Sequence, residues 1–209
     1  RLPGTPPLAP LRARVRSESR RSADALRHRV AALDYQEAIT YSFVDERMDR
    51  ELSGNVEPVR LVNPMASQMA VMRSTLFGSL IGVLRSNLAR KATRVRVFEV
   101  GRVFLRDATS VDGEVSVAGV AQPVRLGALA YGSVDALQWG SKERPVDFYD
   151  AKGDVEALLA PRRALFVPAE HPAMHPGRCA RVELDGVTIG HVGELHPRWR
   201  QAYELPHAP

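Results

Sequence analysis

With 209 residues, 29 Lys+Arg against 24 Asp+Glu and 44% apolar residues, the chain is long enough to bury its own core without a disulfide framework or a structural metal. A single cysteine, Cys179, excludes an intramolecular disulfide and a thiolate zinc cluster, and it favours a reducing compartment, the cytoplasm. The most apolar stretch, Leu76 to Leu84, is interrupted by Gly78 and Gly82 and is far shorter than the ~20 residues of a membrane span, so no membrane partner is expected.

The opening Arg-Leu-Pro-Gly-Thr-Pro-Pro has neither an initiator methionine nor a secretory core, and it reads as the start of an internal segment of a longer protein. Residues 1–16, rich in proline and arginine, read as a linker before a core domain over residues 17–209. Residues 1–30 hold eight arginines against Glu18 and Asp24, a net of +6 that leaves the other 179 residues at −1. Arg12, Arg14, Arg16, Arg20 and Arg21 are the candidate RNA contacts of this basic arm, because clustered guanidinium groups neutralise phosphates. A solvated linker and helix face explains the same residues, and it is favoured because arginine is used in place of lysine throughout the chain.

From Ser17 the spacing of Ala23, Leu26, Val30 and Leu33 predicts an amphipathic helix of about fifteen residues, ending at Leu33. Ala38 to Val44, rich in β-branched and aromatic residues, reads as a strand. Asp45 suits the N-cap of a short helix to Leu52, closed by Ser53-Gly54-Asn55. A short strand at Val59 to Val62 stops at Asn63-Pro64, and a helix is predicted from Ser74 to Ala89. Arg85, Arg90 and Lys91 complement its C-terminal dipole, while Gly78 and Gly82 permit close packing. Val95 to Leu105 reads as a central strand on which Glu99 shares a face with Val97 and Val103. Glu99 either lines a cleft or is a buried acid with a partner, and the second is the default.

A loop or weak hairpin over 107–123 precedes a strand at Val124 to Tyr131, a helix at Asp150 to Leu159 and a strand at Ala164 to Val167. Asp185-Gly186 is the preferred pair of a type I′ turn, pairing Leu184 with Val187, Glu183 with Thr188 and Val182 with Ile189, with burial on one side. Strands and helices interspersed around an antiparallel hairpin make the fold class α+β, with a mostly antiparallel sheet.

Self-sufficient catalytic constellations are missing from the sequence. His171 and His175 are four apart, but Pro172 and Pro176 argue against the helix that would place both on one metal, so a loop pair of satisfied histidines is favoured. There is no phosphate-cradling glycine loop, nucleophile elbow or Cys-His pair with supporting context.

Five blocks in order carry a resemblance. They are Glu37-Ala38-Ile39-Thr40-Tyr41-Ser42-Phe43; Asn63-Pro64-Met65 leading to Val71-Met72-Arg73-Ser74-Thr75-Leu76; Phe98-Glu99-Val100-Gly101-Arg102-Val103-Phe104; and Asp147-Phe148-Tyr149-Asp150-Ala151-Lys152-Gly153. The fifth couples His175-Pro176-Gly177-Arg178 with Gly190-His191-Val192-Gly193-Glu194-Leu195-His196-Pro197. Together they resemble the catalytic-like core of the bacterial phenylalanyl-tRNA synthetase β subunit.

The resemblance implies the class II aminoacyl-tRNA synthetase fold, an antiparallel sheet flanked by helices. It implies a module that does no chemistry itself but supports an α subunit in an α2β2 assembly, which uses ATP and magnesium to join phenylalanine to tRNA(Phe). No cofactor is expected on this chain, since the Arg-bearing Gly-x-Gly-x-Gly-type strand that grips ATP phosphates in class II enzymes has no counterpart here. Ala66 and Gln68 replace a hydroxyl and an acid common in the family, and the first helix and strand lack the usual proline of the class II dimer motif.

Leu26, Val30, Leu33, Ile39 and Tyr41 are the candidate subunit-interface residues. Arg73, Glu99, Lys152, Arg178 and Glu194 are the candidate tethering residues, because charged groups beside apolar strands need partners. Two other readings remain open: direct contact of the basic arm with tRNA, and residual adenylate chemistry in a cleft around Glu99 and Arg178.

Overall fold

The structure is a computed structural model that describes residues 22–113, 116–140 and 142–209. Helix α1, Ala23–Ala32, starts where the extended Ser22 accepts a hydrogen bond from the Ala25 amide at 3.1 Å. That cap makes the helix shorter than the fifteen residues expected from Ser17. The linker boundary at residue 16 lies outside the described residues.

Strands β1 (Gln36–Glu37) and β2 (Phe43–Val44) replace the single strand expected over Ala38 to Val44. Residues 38–42 join no ladder, for a reason found in the side chains beneath them. Helix α2, Glu46–Ser53, is bounded as expected, with the Asp45 carboxylate accepting from the Met48 amide and Gly54 left-handed at φ 72°. The strand expected at Val59 to Val62 reduces to an isolated bridge between Arg60 and Val71, since prolines at 58 and 64 remove ladder donors.

Strand β3, Val71–Met72, leads into α3, Phe77–Ala89. This helix starts three residues later than expected because the Ser74 amide donates to Asp49 and the Thr75 hydroxyl accepts from the Phe77 amide. The strand expected over Val95 to Leu105 is two, β4 (Val95–Arg102) and β5 (Leu105–Arg106). It breaks where Val103 donates to the Pro123 carbonyl and Phe104 to the Arg73 carbonyl. Strands β6 (Val120–Ala121) and β7 (Val124–Tyr131) follow. Then come α4 (Phe148–Leu159), β8 (Leu165–Pro168), β9 (Met174–Leu184), β10 (Val187–Leu195) and α5 (Pro197–Ala202), the last a helix the sequence reading leaves out.

At the β9–β10 turn Asp185 and Gly186 are both left-handed, as a type I′ turn requires. Leu184 pairs with Val187 and Glu183 with Thr188, but an irregularity places Gly190, not Ile189, opposite Val182. The expected one-sided burial is corrected accordingly, since Val182 is buried while Val187 and Ile189 are exposed.

Two three-stranded sheets organise the described residues, beside the two-stranded pairs β2–β3 and β5–β6. In the first, β4 pairs antiparallel with β7 over its whole length and parallel with β1. In the second, β9 lies antiparallel between β8 and β10. Helix α3 covers one face of the first sheet, packing Leu80, Ile81 and Leu84 against Val95, Val97 and Tyr131. The opposite face packs Phe98 against Val30 of α1 and Tyr35, with Leu158 of α4 alongside. Helix α4 also lays Phe148, Ala151, Val155 and Leu159 on Ala180, Val182 and Val192 of the second sheet, so one helix is shared by both sheets. The fold class is α+β with mostly antiparallel sheets flanked by helices. Gly78 is a close approach, since a Cβ there would lie 2.9 Å from Met48 Sδ of α2. At Gly82 nothing lies within 4 Å, and the packing role expected of it is not found.

Candidate functional site

Glu99, at the centre of β4, points to the same face as Val97, and it is 4% exposed. A buried carboxylate costs several kcal/mol unless it is paired and hydrogen-bonded. Arg73 answers it from the residue after β3, with Nη2 2.8 Å from Glu99 Oε1 and only 2% of its surface exposed. The other Arg73 donors are directed as specifically: Nε donates to the Arg102 carbonyl at 2.9 Å and Nη1 to the Thr40 hydroxyl at 2.8 Å. The Thr40 hydroxyl in turn donates to Glu99 Oε2 at 2.6 Å. Both carboxylate oxygens are thereby occupied, and so is every nitrogen of the guanidinium.

Gly101 completes the arrangement by having no side chain. A Cβ there would lie 2.8 Å from Glu99 Oε1 and closer still to Arg73 Nη2. Neither Thr40 nor Gly101 stands out from composition or periodicity; the signal that could have found them is their place within the blocks around Ile39 and Glu99.

Above this cluster runs the unpaired segment 38–42. The Ala38 amide donates to the Phe98 carbonyl at 2.7 Å, and the Ser42 carbonyl accepts from the Arg73 amide at 2.9 Å. Thr40 points inward, and its neighbours point out: Ile39 is 93% and Tyr41 66% exposed. Val62 and Met65, on the loop leading to β3, are also exposed. Of the other interface candidates, Leu26 and Leu33 are half-buried, and Leu33 packs against the α1 cluster. Val30 is corrected: at 3% exposure against Tyr35 and Phe98 it belongs to the chain's own core and is not available to a partner.

The remaining tethering candidates sit apart from this cluster. Arg178 on β9 is ion-paired with Glu194 on β10, across the hairpin of the second sheet. Lys152 lies within α4, 2.5 Å from Glu156 Oε1 and 4.6 Å from the Phe166 ring centroid. Glu99 and Arg178 therefore stand on different sheets with different partners and do not form the cleft considered from the sequence. Arg12, Arg14, Arg16, Arg20 and Arg21 lie outside the described residues. The two helix arginines inside them are spent on the fold, Arg27 on Asp24 and Glu37, and Arg29 on the Leu158 and Ala160 carbonyls at the end of α4.

Two further polar groups escaped sequence reasoning. Asp49 of α2 is 2% exposed and accepts from the Ser74 amide at 2.7 Å, and burial pushes its carboxyl up against the opposing effect of the Ser74 bonds. Tyr35 donates to Asp154 at 2.7 Å beside Arg96, whose guanidinium lies 5.2 Å from the ring centroid. Burial first, then the Asp154 carboxylate, push its hydroxyl upward.

His171 and His175 do not face a common metal. Nδ1 of His171 accepts from the Ala173 amide and Nδ1 of His175 from the Gly177 amide. The His171 ring packs on His191 and edge-on to Phe77. Burial, then the His191 charge, lower His171 to about 4. Because an unfolded histidine titrates near 6.5, the unfolded chain binds the extra proton first, and stability present above about pH 6.5 is lost as pH falls toward 4. Replacing His171 with Phe is expected to flatten that acid limb, read as a smaller drop in urea midpoint between pH 7 and pH 4.5 than in the wild type. Among the described residues, no group of three His, Cys, Asp or Glu could hold a metal ion, and no helix is long and apolar enough to cross a membrane.

Residues 2–209 match the family model described as the phenylalanyl tRNA synthetase beta chain CLM domain. The chain is 59% identical over 209 residues to the phenylalanine–tRNA ligase beta subunit of Burkholderia pseudomallei, and 55% over 208 residues to that of Ralstonia nicotianae. Both alignments cover 100% of this chain, which spans 26% of the length of each relative. Among solved structures, a pyrrolysyl tRNA synthetase from Desulfitobacterium hafniense superposes with a TM-score of 0.60 at 10% identity, over 88% of this chain and 60% of that one. A Giardia lamblia prolyl-tRNA synthetase in complex with prolyl-adenylate gives 0.56 at 9% identity, over 86% and 38%. At such identities the likeness concerns the fold alone, and that fold is the class II aminoacyl-tRNA synthetase fold.

Proposed function

Since the chain belongs to the phenylalanyl tRNA synthetase beta chain CLM domain family, we propose that it is a synthetase-shaped module that does no aminoacylation chemistry itself and docks on the α subunit that does. The observation that carries this reading is the exposure of Ile39 and Tyr41, 93% and 66%, on a segment held firmly from below. Large apolar side chains presented side by side on a fixed backbone suit a protein interface far better than they suit water. The chemistry of the cluster beneath supports the non-catalytic half of the proposal. A class II site needs an arginine free to hold phosphate, whereas Arg73 has every nitrogen engaged within the fold. ATP, magnesium and tRNA(Phe) would then be handled by the α2β2 assembly, with the chemistry on the other chain.

The test is co-expression of the full β chain with its α subunit, followed by size-exclusion chromatography. The wild type is expected to co-elute with α, and Ile39→Asp to elute without it. Co-elution of the Ile39→Asp chain would sink the docking role. A second reading, contact of the arginine-rich arm with tRNA, is favoured by the +6 charge of residues 1–30. A gel shift of the assembled complex at two salt concentrations, with and without residues 1–21, separates it from the first.

A further inference from the structure

We infer that Arg73, Glu99 and Thr40 form a latch that presets the outward pose of Ile39 and Tyr41, so that the docking strip reaches its partner already shaped. The inference rests on the docking role proposed above and names the device that governs it. An extended segment alternates its side chains, so fixing residue 40 inward directs 39 and 41 outward. The segment is gripped at every second residue: Ala38 by the Phe98 carbonyl at 2.7 Å, Thr40 by Glu99 and Arg73, and Ser42 by the Arg73 amide at 2.9 Å. Arg73 supplies two of these grips, one from its side chain and one from its backbone. A displacement of Arg73 therefore releases residues 40 and 42 together.

Stability alone does not call for this construction. A buried ion pair replaced by apolar groups of similar volume is often as stable, so the expense of desolvating Arg73 and Glu99 is better accounted for by geometry. What the polar groups add is direction, since a hydroxyl held between a guanidinium and a carboxylate has one orientation, and an apolar contact would leave the segment free to slide. A strip ordered before contact avoids the entropic cost of ordering its side chains on contact. Arg73 and Glu99, 2% and 4% exposed, are thus positioning residues, and so is Thr40, whose hydroxyl is engaged by both of them.

The experiment uses the full β chain and its α subunit, with association and dissociation rates measured by surface plasmon resonance on immobilised α. Thr40→Val keeps the volume and removes the hydroxyl. It is expected to weaken binding about tenfold, chiefly through slower association, because fewer encounters find the strip in its docking pose. Thr40→Ser restores the hydroxyl and is expected to bind like the wild type. Hydrogen exchange of the free Thr40→Val chain is expected to accelerate at the Ala38 and Arg73 amides, which donate to the Phe98 and Ser42 carbonyls, while α3 and β7 stay protected, which a general loss of stability would not produce.

Should Thr40→Val fail to fold, the paired change Arg73→Met with Glu99→Leu removes both charges together and is expected to give the same loss of association. Wild-type binding by whichever of these two variants folds, alongside impaired Ile39→Asp, overturns the latch and leaves the docking role standing. Wild-type binding by Ile39→Asp overturns the docking role itself.

Discussion

Replacing Arg73 with Met alone is expected to destabilise the chain by about 3–5 kcal/mol, the range for breaking a buried ion pair from one side. The loss comes from what remains. Among the described residues, Glu99, 4% exposed, would keep only the Thr40 hydroxyl on one oxygen and nothing on the other. The Arg102 carbonyl and the Thr40 hydroxyl would each lose a donor. Against a total stability of roughly 5–15 kcal/mol for a domain, that is a large fraction, and urea unfolding followed by circular dichroism reads it as a lowered midpoint. Adding Glu99→Leu to Arg73→Met is expected to recover most of the loss, because no charge is then left without a counterpart. The double-mutant cycle measures the coupling directly. A single-variant cost below about 1 kcal/mol would mean that water reaches Glu99, contrary to its burial here.

The same cluster marks where the sequence is legible and where it is not. Local chemistry reads well: Asp45 and Gly54 bound α2, Val124 to Tyr131 is a strand to the residue, and Asp185-Gly186 turns the hairpin. Each of these depends on groups within a few residues of one another. The failures around this cluster depend on distant partners. Ala38 to Val44 has the composition of a half-buried strand, yet Thr40 is drawn to Arg73 and Glu99, and the segment leaves the ladder. Ile39 and Tyr41 show why composition cannot decide such a case, since a β-like pattern records only that one face will be covered and not by which chain.

Val30 fails in the opposite sense. Its spacing with Leu26 and Leu33 marks an apolar stripe, but only the fold shows that Tyr35 and Phe98 already cover it. The acid at Glu99 was legible as a residue in need of a partner. That its partner is Arg73, and that Gly101 must lack a Cβ beside them, depends on bringing β4 next to the turn before α3. The Ile189 slip is likewise invisible locally, since the bulge in β10 sits beyond the turn that sets the register.

Phe98→Ala is expected to cost about 3–5 kcal/mol as well, at the upper end for a large-to-small change in a core. Phe98 is 1% exposed, on the face of β4 opposite Glu99, and it fills the space between Val30, Tyr35 and Leu158. How much such a hole costs depends on how far its walls can collapse. Here they are held. The Tyr35 hydroxyl is bonded to Asp154, Arg96 lies against the Tyr35 ring, and Arg29 ties α1 to the end of α4 through two carbonyls. With those walls pinned, most of the cavity stays open and the atoms lining it forfeit their dispersion attraction to the ring without finding a substitute. Phe98→Leu, which leaves a smaller void, is expected to lose less, and the comparison of urea midpoints checks whether cavity size sets the cost. The carbonyl of residue 98 still accepts from Ala38 in either variant, so whatever fraction remains folded is expected to present Ile39 and Tyr41 unchanged. Ile39→Asp is the converse, since a substitution at a side chain 93% exposed is expected to shift stability by no more than about 0.5 kcal/mol while removing the docking contact. Core and docking strip would then separate cleanly: damage at Phe98 would read out in the unfolding midpoint, and damage at Ile39 in the elution of the α subunit.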